Sequence, residues 1–181
     1  MSQQTEPEIS TEPTSLSSFN SSREKRNMEA NIQTGPIPEQ LDLRLKRRDT
    51  QPLPPNALLK FQLINRGKNP AVNYRWVLYE DGRWFFARHS GGDSDWQTPF
   101  DTELPEAPTR QLPANVVNEV KEKLQVADFL TQPAYQINQD VRDGGYRIVT
   151  ARIDGKIHEV IYVAVNSPLL ETLEKIATTY E

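Results

Sequence analysis

The chain has two histidines, His89 and His158, and no cysteine, so any nucleophilic or metal-binding chemistry must be assembled from few groups. His89 is followed by Ser90 and then by Asp93, and a hydroxyl, an imidazole and a carboxylate are the parts of a hydrolytic triad. Neighbours within one loop rarely hold that geometry, because reacting groups need rigid elements behind them. The simpler reading is an exposed loop histidine. His158, near the tip of a hairpin, reads as a surface residue in the same way. In Gly91-Gly92-Asp93-Ser94-Asp95 two carboxylates stand two residues apart, as at the start of a Ca²⁺ loop, but the further ligands and closing glutamate are missing. There is no phosphate-binding glycine loop, no H-E-x-x-H and no G-x-S-x-G. The expectation is therefore no catalytic residue, no metal and no cofactor. If a small-ligand or enzymatic site exists, it lies under the acidic loop from His89 to Leu112 and uses Arg88, His89, Asp93 and Asp95.

A denser signal is aromatic. Tyr74, Trp76, Tyr79, Trp84, Phe85 and Phe86 crowd two strand-like runs joined at Asp81-Gly82, the strongest short-range hairpin signal, since a type I′ turn needs positive φ at both central positions. Pairing about that turn sets Glu80 opposite Arg83, Tyr79 opposite Trp84, Leu78 opposite Phe85 and Val77 opposite Phe86. One face then carries Tyr74, Trp76, Leu78, Phe85 and Ala87, and the other Val77, Tyr79, Trp84 and Phe86. Helices cover one face of a two-layer fold. The second face is expected to be a contact surface, with Val77, Tyr79, Trp84 and Phe86 binding a protein partner, unless the preceding arm, the acidic loop or a second copy covers it.

The elements that position these residues follow from periodicity. Leu58 to Ile64 alternates as a strand and stops at Asn65-Arg66-Gly67. Pro113 opens a helix with Val116, Val117, Val120 and Leu124 on one face. A second hairpin runs from Tyr146 to Ile153 and returns through Asp154-Gly155 to Val163, apolar on both faces and hence central in its sheet. Ser167 caps a last helix with Pro168 at its first position and Leu169, Leu170, Leu173, Ile176, Ala177 and Tyr180 as its buried stripe. The expected fold is α+β: a two-layer sandwich of about five antiparallel strands with two helices on one face, in a single domain over 56–181.

Tyr74-x-x-x-Leu78-Tyr79-x-Asp81-Gly82, the helix end at Ala127-Asp128-Phe129, Ile153-x-Gly155-Lys156 and the closing helix with Pro168, Leu173 and Ile176 together resemble a small bacterial domain family of unknown function. The resemblance covers about residues 70–180. It implies a fold and no activity.

Length and charge bound the rest. At 181 residues there is room for one ordinary domain and tails. Lys+Arg number 21 against 25 Asp+Glu, a net charge of −4, the opposite of a nucleic-acid binder's footprint. Seven of the 14 prolines fall before residue 57 in a stretch too poor in apolar residues to offset its ordering entropy. Residues 1–55 are expected to be a disordered or extended leader, disordered to about residue 38, with one strand at 41–46 where Leu41, Leu43 and Leu45 alternate with Asp42, Arg44 and Lys46. The basic run at Arg44, Lys46, Arg47 and Arg48 reads as the solvated side of that arm. Met1 to Asn20 has no basic start and no apolar run, and no window approaches the ~18 apolar residues of a membrane span. A cytoplasmic setting fits, with no nucleic acid and no membrane insertion. The functional expectation is a non-enzymatic interaction module, an adaptor, assembly factor or inhibitor, docking a protein partner or a second copy through the aromatic hairpin.

Overall fold

The computed structural model describes residues 31–66, 72–90, 98–142 and 144–181. In chain order it contains β1 (Ile32–Gly35), α1 (Leu43–Lys46), β2 (Ala57–Ile64), β3 (Tyr74–Tyr79), β4 (Arg83–Arg88), β5 (Arg110–Gln111), α2 (Ala114–Val126), a 3₁₀ turn (Phe129–Thr131), β6 (Tyr135–Asn138), β7 (Tyr146–Ile153), β8 (Lys156–Val163) and α3 (Pro168–Tyr180). The strands form one eight-stranded sheet in the order β1-β6-β8-β7-β2-β3-β4-β5. Every neighbouring pair is antiparallel except β6 and β8, which run parallel. The expected five-stranded antiparallel sheet is thus corrected to a larger, mixed one. The strands that were not anticipated, β1, β5 and β6, are four, two and four residues long, too short to show a period of their own. No helix among the described residues is long and apolar enough to cross a membrane.

Helices α2 and α3 lie on one face. Pro113 stands at the N-cap of α2, where a missing N–H costs nothing, and Val116, Val117, Val120 and Leu124 are buried below it. The Ser167 hydroxyl accepts from the Leu170 N–H at 3.3 Å to start α3. Leu169, Leu170, Leu173, Ile176 and Ala177 turn inward. Both helices pack on Phe61, Trp76, Leu78, Trp84, Val149 and Tyr162 in the main core.

The opposite face is covered by chain that the sequence places in an extended or disordered leader. Leu45 and Leu53 are 1% and 5% exposed. Leu45 packs with Ile64, Ile148, Ile161 and Val163, and Leu53 with Ala57 and Val77. Phe100 and Leu104, from the acidic loop, join these two clusters. The strand expected at 41–46 is instead the one-turn α1, because the Asp42 carboxylate accepts from the Arg44 N–H at 2.9 Å and turns the chain. The disorder expected to about residue 38 is corrected over Ile32–Gly35, where β1 pairs with β6, and its part before residue 31 lies outside the described residues.

The two Asp-Gly hairpins differ in their loops. In β7–β8, Ile153 pairs with Lys156, and Asp154 and Gly155 have φ of +50° and +77°, the type I′ pattern. In β3–β4, Leu78 pairs with Trp84, Val77 with Phe85 and Trp76 with Phe86. The Gly82 N–H donates to Tyr79 O at 3.0 Å and Gly82 alone is left-handed, at φ +88°. This is a three-residue loop closed by a left-handed glycine, and it shifts the register by one. A one-residue shift moves every side chain of a strand to the other face, so Trp84 and Phe86 join Tyr74, Trp76 and Leu78 beneath the helices.

Candidate functional site

The register decides which hairpin residues can meet a partner. Trp84 is fully buried, its ring 6.3 Å from Trp76 and 5.1 Å from Phe86. Phe86 is half-buried against the main core. Neither Trp84 nor Phe86 forms the open patch expected of them. Val77 is 2% exposed and lies beneath Leu53, so it is a floor and not a contact. On that same face, opposite the helices, Tyr79 and Phe85 remain half-buried, with ring centroids 5.4 Å apart. The Arg83 guanidinium sits 4.5 Å from the Tyr79 ring centre while its Nε donates to the Asp81 carboxylate at 2.8 Å. Arg, Tyr and Phe stacked in a partly open cluster are a set rich in hot-spot residue types. Of the four hairpin residues predicted to bind a partner, only Tyr79 stands in this cluster. Arg83 and Phe85 were missed because the pairing was read one residue out of step.

The two described residues of the alternative site, Arg88 and His89, are not brought together. Arg88 and His89 point to opposite faces of the sheet, as consecutive strand residues do. Arg88 reaches α3, where its guanidinium bonds the Glu181 carboxylate, and that bond holds its proton more firmly than usual. Asp93 and Asp95 lie outside the described residues. His89, expected to be exposed, is 4% exposed. Its Nδ1 is 3.2 Å from Asp101 Oδ1, near enough for attraction but off the hydrogen-bond direction, and neither ring nitrogen has a hydrogen-bond partner among the described residues. Ser90 donates from its N–H (2.9 Å) and its hydroxyl (3.1 Å) to the Asp101 carboxylate, with the Thr102 hydroxyl 3.0 Å from both Ser90 Oγ and Asp101 Oδ1. A triad requires the serine to bond the imidazole; here it bonds the acid instead. Burial pushes the Asp101 carboxyl up, but the bonds from Ser90 and Thr102 and the neighbouring His89 outweigh it and hold the carboxyl at about 2. The arrangement clamps residues 101 and 102 to the end of β4. His158 is half-buried as well, its Nε2 2.8 Å from Gln132 O and its ring edge-on to Phe129.

A third polar group of residues, unremarked in the sequence, lies between the sheet and the segment before it. Lys60 and Gln62 project from the even positions of β2, a side that alternation assigns to water, yet they are 2% and 0% exposed. Lys60 Nζ donates to Gln51 O at 2.5 Å and sits 3.7 Å from the Asp49 carboxylate, which also lies 3.5 Å from Arg75. Gln62 exchanges two hydrogen bonds with the Asp49 backbone, at 3.0 and 2.9 Å. Burial pulls the Lys60 ammonium below its ordinary range, opposed by Asp49 and Glu159. The Lys60 and Gln62 donors are turned onto the covering segment, so the group acts as a buried fastening. Among the described residues no cluster of three or more His, Asp or Glu is placed to hold a metal ion.

Comparison with protein families, with characterised proteins and with solved structures finds no match to this chain.

Proposed function

We propose that the chain is a protein-interaction module that docks a partner through the Tyr79, Arg83 and Phe85 cluster of the first hairpin. The supporting observation is the half-open stack itself, with Tyr79 and Phe85 5.4 Å apart and Arg83 over Tyr79, on the face that the helices do not cover. Arginine and tyrosine are over-represented among residues that dominate interface energetics, and aromatic rings bring large area at small cost in rotamer entropy. The role suits an adaptor, assembly factor or inhibitor acting through surface contact. Its test is a photoreactive residue placed at Phe85 in the full chain. A discrete crosslinked partner is expected, lost when Arg83→Glu is added and absent when the label is moved to Glu119 on α2. Equal labelling from both positions defeats the reading. Light scattering after size exclusion, with and without Arg83→Glu, tells a second copy from a foreign protein.

A further inference from the structure

The tips of the two hairpins and the last turns of α2 line a half-open cavity of about 130 Å³. It is too small for a nucleotide or drug-sized molecule, whose pockets run from about 300 Å³ upward. Its size suits a small metabolite and nothing larger. Its apolar wall is Leu58 and Leu124, both almost fully buried. Its polar wall has two charges of each sign: Arg152 and Lys121, Glu80 and Asp154.

Two of these charges, Arg152 and Asp154, are not spent on the others among the described residues. Arg152 Nη2 donates to Pro54 O at 3.3 Å, and the guanidinium has no carboxylate partner among the described residues. Asp154 has neither a hydrogen bond nor an ion pair among them, and the type I′ turn fixes its backbone at φ +50°. Lys121 and Glu80 do pair, at 3.5 Å, but their side chains are 40% and 61% exposed. Such a pair contributes about 0–1 kcal/mol and opens readily. A simple anion entering here meets two carboxylates, and a simple amine meets two cations. A molecule that carries an ammonium and a carboxylate on one carbon satisfies all four groups.

We propose that this cavity binds a free α-amino acid with a short apolar side chain. Its carboxylate bonds to Arg152 and Lys121, its ammonium to Glu80 and Asp154, and its side chain rests on Leu58 and Leu124. The site is separate from the Tyr79, Arg83 and Phe85 cluster and does not depend on the docking role. The test is an amide-resolved NMR titration of the full chain with L-valine, N-acetyl-L-valine and L-valinamide. Valine is expected to give saturable shifts at Glu80, Lys121 to Gln125 and Arg152 to Gly155. Each capped derivative, lacking one charge, is expected to bind at least about tenfold more weakly. Arg152→Gln should weaken valine by a similar factor, and Lys121→Gln, on the exposed side of α2, provides the same loss should Arg152→Gln disturb the fold, which the spectrum itself reports. No saturation by about 20 mM, equal binding of the capped forms, or shifts centred elsewhere each overturns the proposal.

Discussion

Trp84 shows what a single side chain contributes once its face is known. Enclosed by Trp76 and Phe86 and fully buried, it is a core residue. Trp84→Ala is expected to cost about 3 to 5 kcal/mol by urea denaturation; a loss under about 1 kcal/mol would place the ring outside the core. His89 presents the converse case, a buried imidazole with neither nitrogen hydrogen-bonded among the described residues. Removing an unsatisfied polar group in favour of an apolar ring of similar shape is close to neutral or stabilising. His89→Phe should therefore leave the denaturation midpoint unchanged or raised, and a fall of more than about 2 kcal/mol means that the nitrogens do have partners. Asp101 gives the pH dependence. Its folded value of about 2 lies below the ordinary 3.8, so its contribution is present above pH ~4 and is lost as pH falls toward 2. Asp101→Asn should remove that part of the acid transition, and identical acid unfolding of both proteins would show that the Ser90 and Thr102 bonds are not held in solution. None of these environments was legible in the residues alone. Burial of His89 and Trp84 depends on partners distant in sequence, and polar Lys60 and Gln62 look like a wet face until Asp49 is set against them.

Elements were legible in proportion to their length and punctuation. Helices α2 and α3 carry a full apolar period with Pro113 and Ser167-Pro168 at their starts, and both were read to the correct face. The hairpins were legible as hairpins, but the same Asp-Gly dipeptide closes two different loops. The difference is non-local: Gly82 O accepts from Leu112 N at 2.8 Å, and the Gln111 side-chain amide donates to Asp81 O at 2.5 Å. Strand β5 thus docks on the first loop, whereas the second has no comparable strap in the described structure. A Cβ at position 82 would stand 2.5 Å from Leu112 O as well as demand a left-handed backbone. Gly82→Ala is expected to destabilise by about 1 kcal/mol or more, beyond the effect of Gly155→Ala, where open space surrounds the added atom. Equal losses at the two glycines would remove β5 as the cause of the register.

At the scale of the whole molecule, the sequence misleads most about the segment preceding β2. Its prolines and charges suggest a tether, since few apolar residues are present to bury. The sheet nevertheless has two apolar faces and, among the described residues, two long helices, which cover one. What closes the other is Leu45 and Leu53, assisted by Phe100 and Leu104 and fastened by Asp49 to Lys60 and Arg75. Few anchors suffice because Leu45 and Leu53 are almost wholly buried and Asp49 faces both cations. Deleting residues 1–55 would bare Ile64, Ile148, Ile161 and Val163 and strip the buried Lys60 of Asp49 and Gln51, and removing one partner of a buried ion pair alone costs about 3 to 5 kcal/mol. For a domain stable by about 5 to 15 kcal/mol, the combined loss is enough to destroy fixed packing. The truncated chain is expected to bind a hydrophobic dye and lose its near-ultraviolet circular dichroism, while Asp49→Ala in the full chain shifts the midpoint without abolishing the fold. A truncated protein that keeps a native, well-dispersed NMR spectrum would return the segment to the status of a tether and leave the second face of the sheet open for partners.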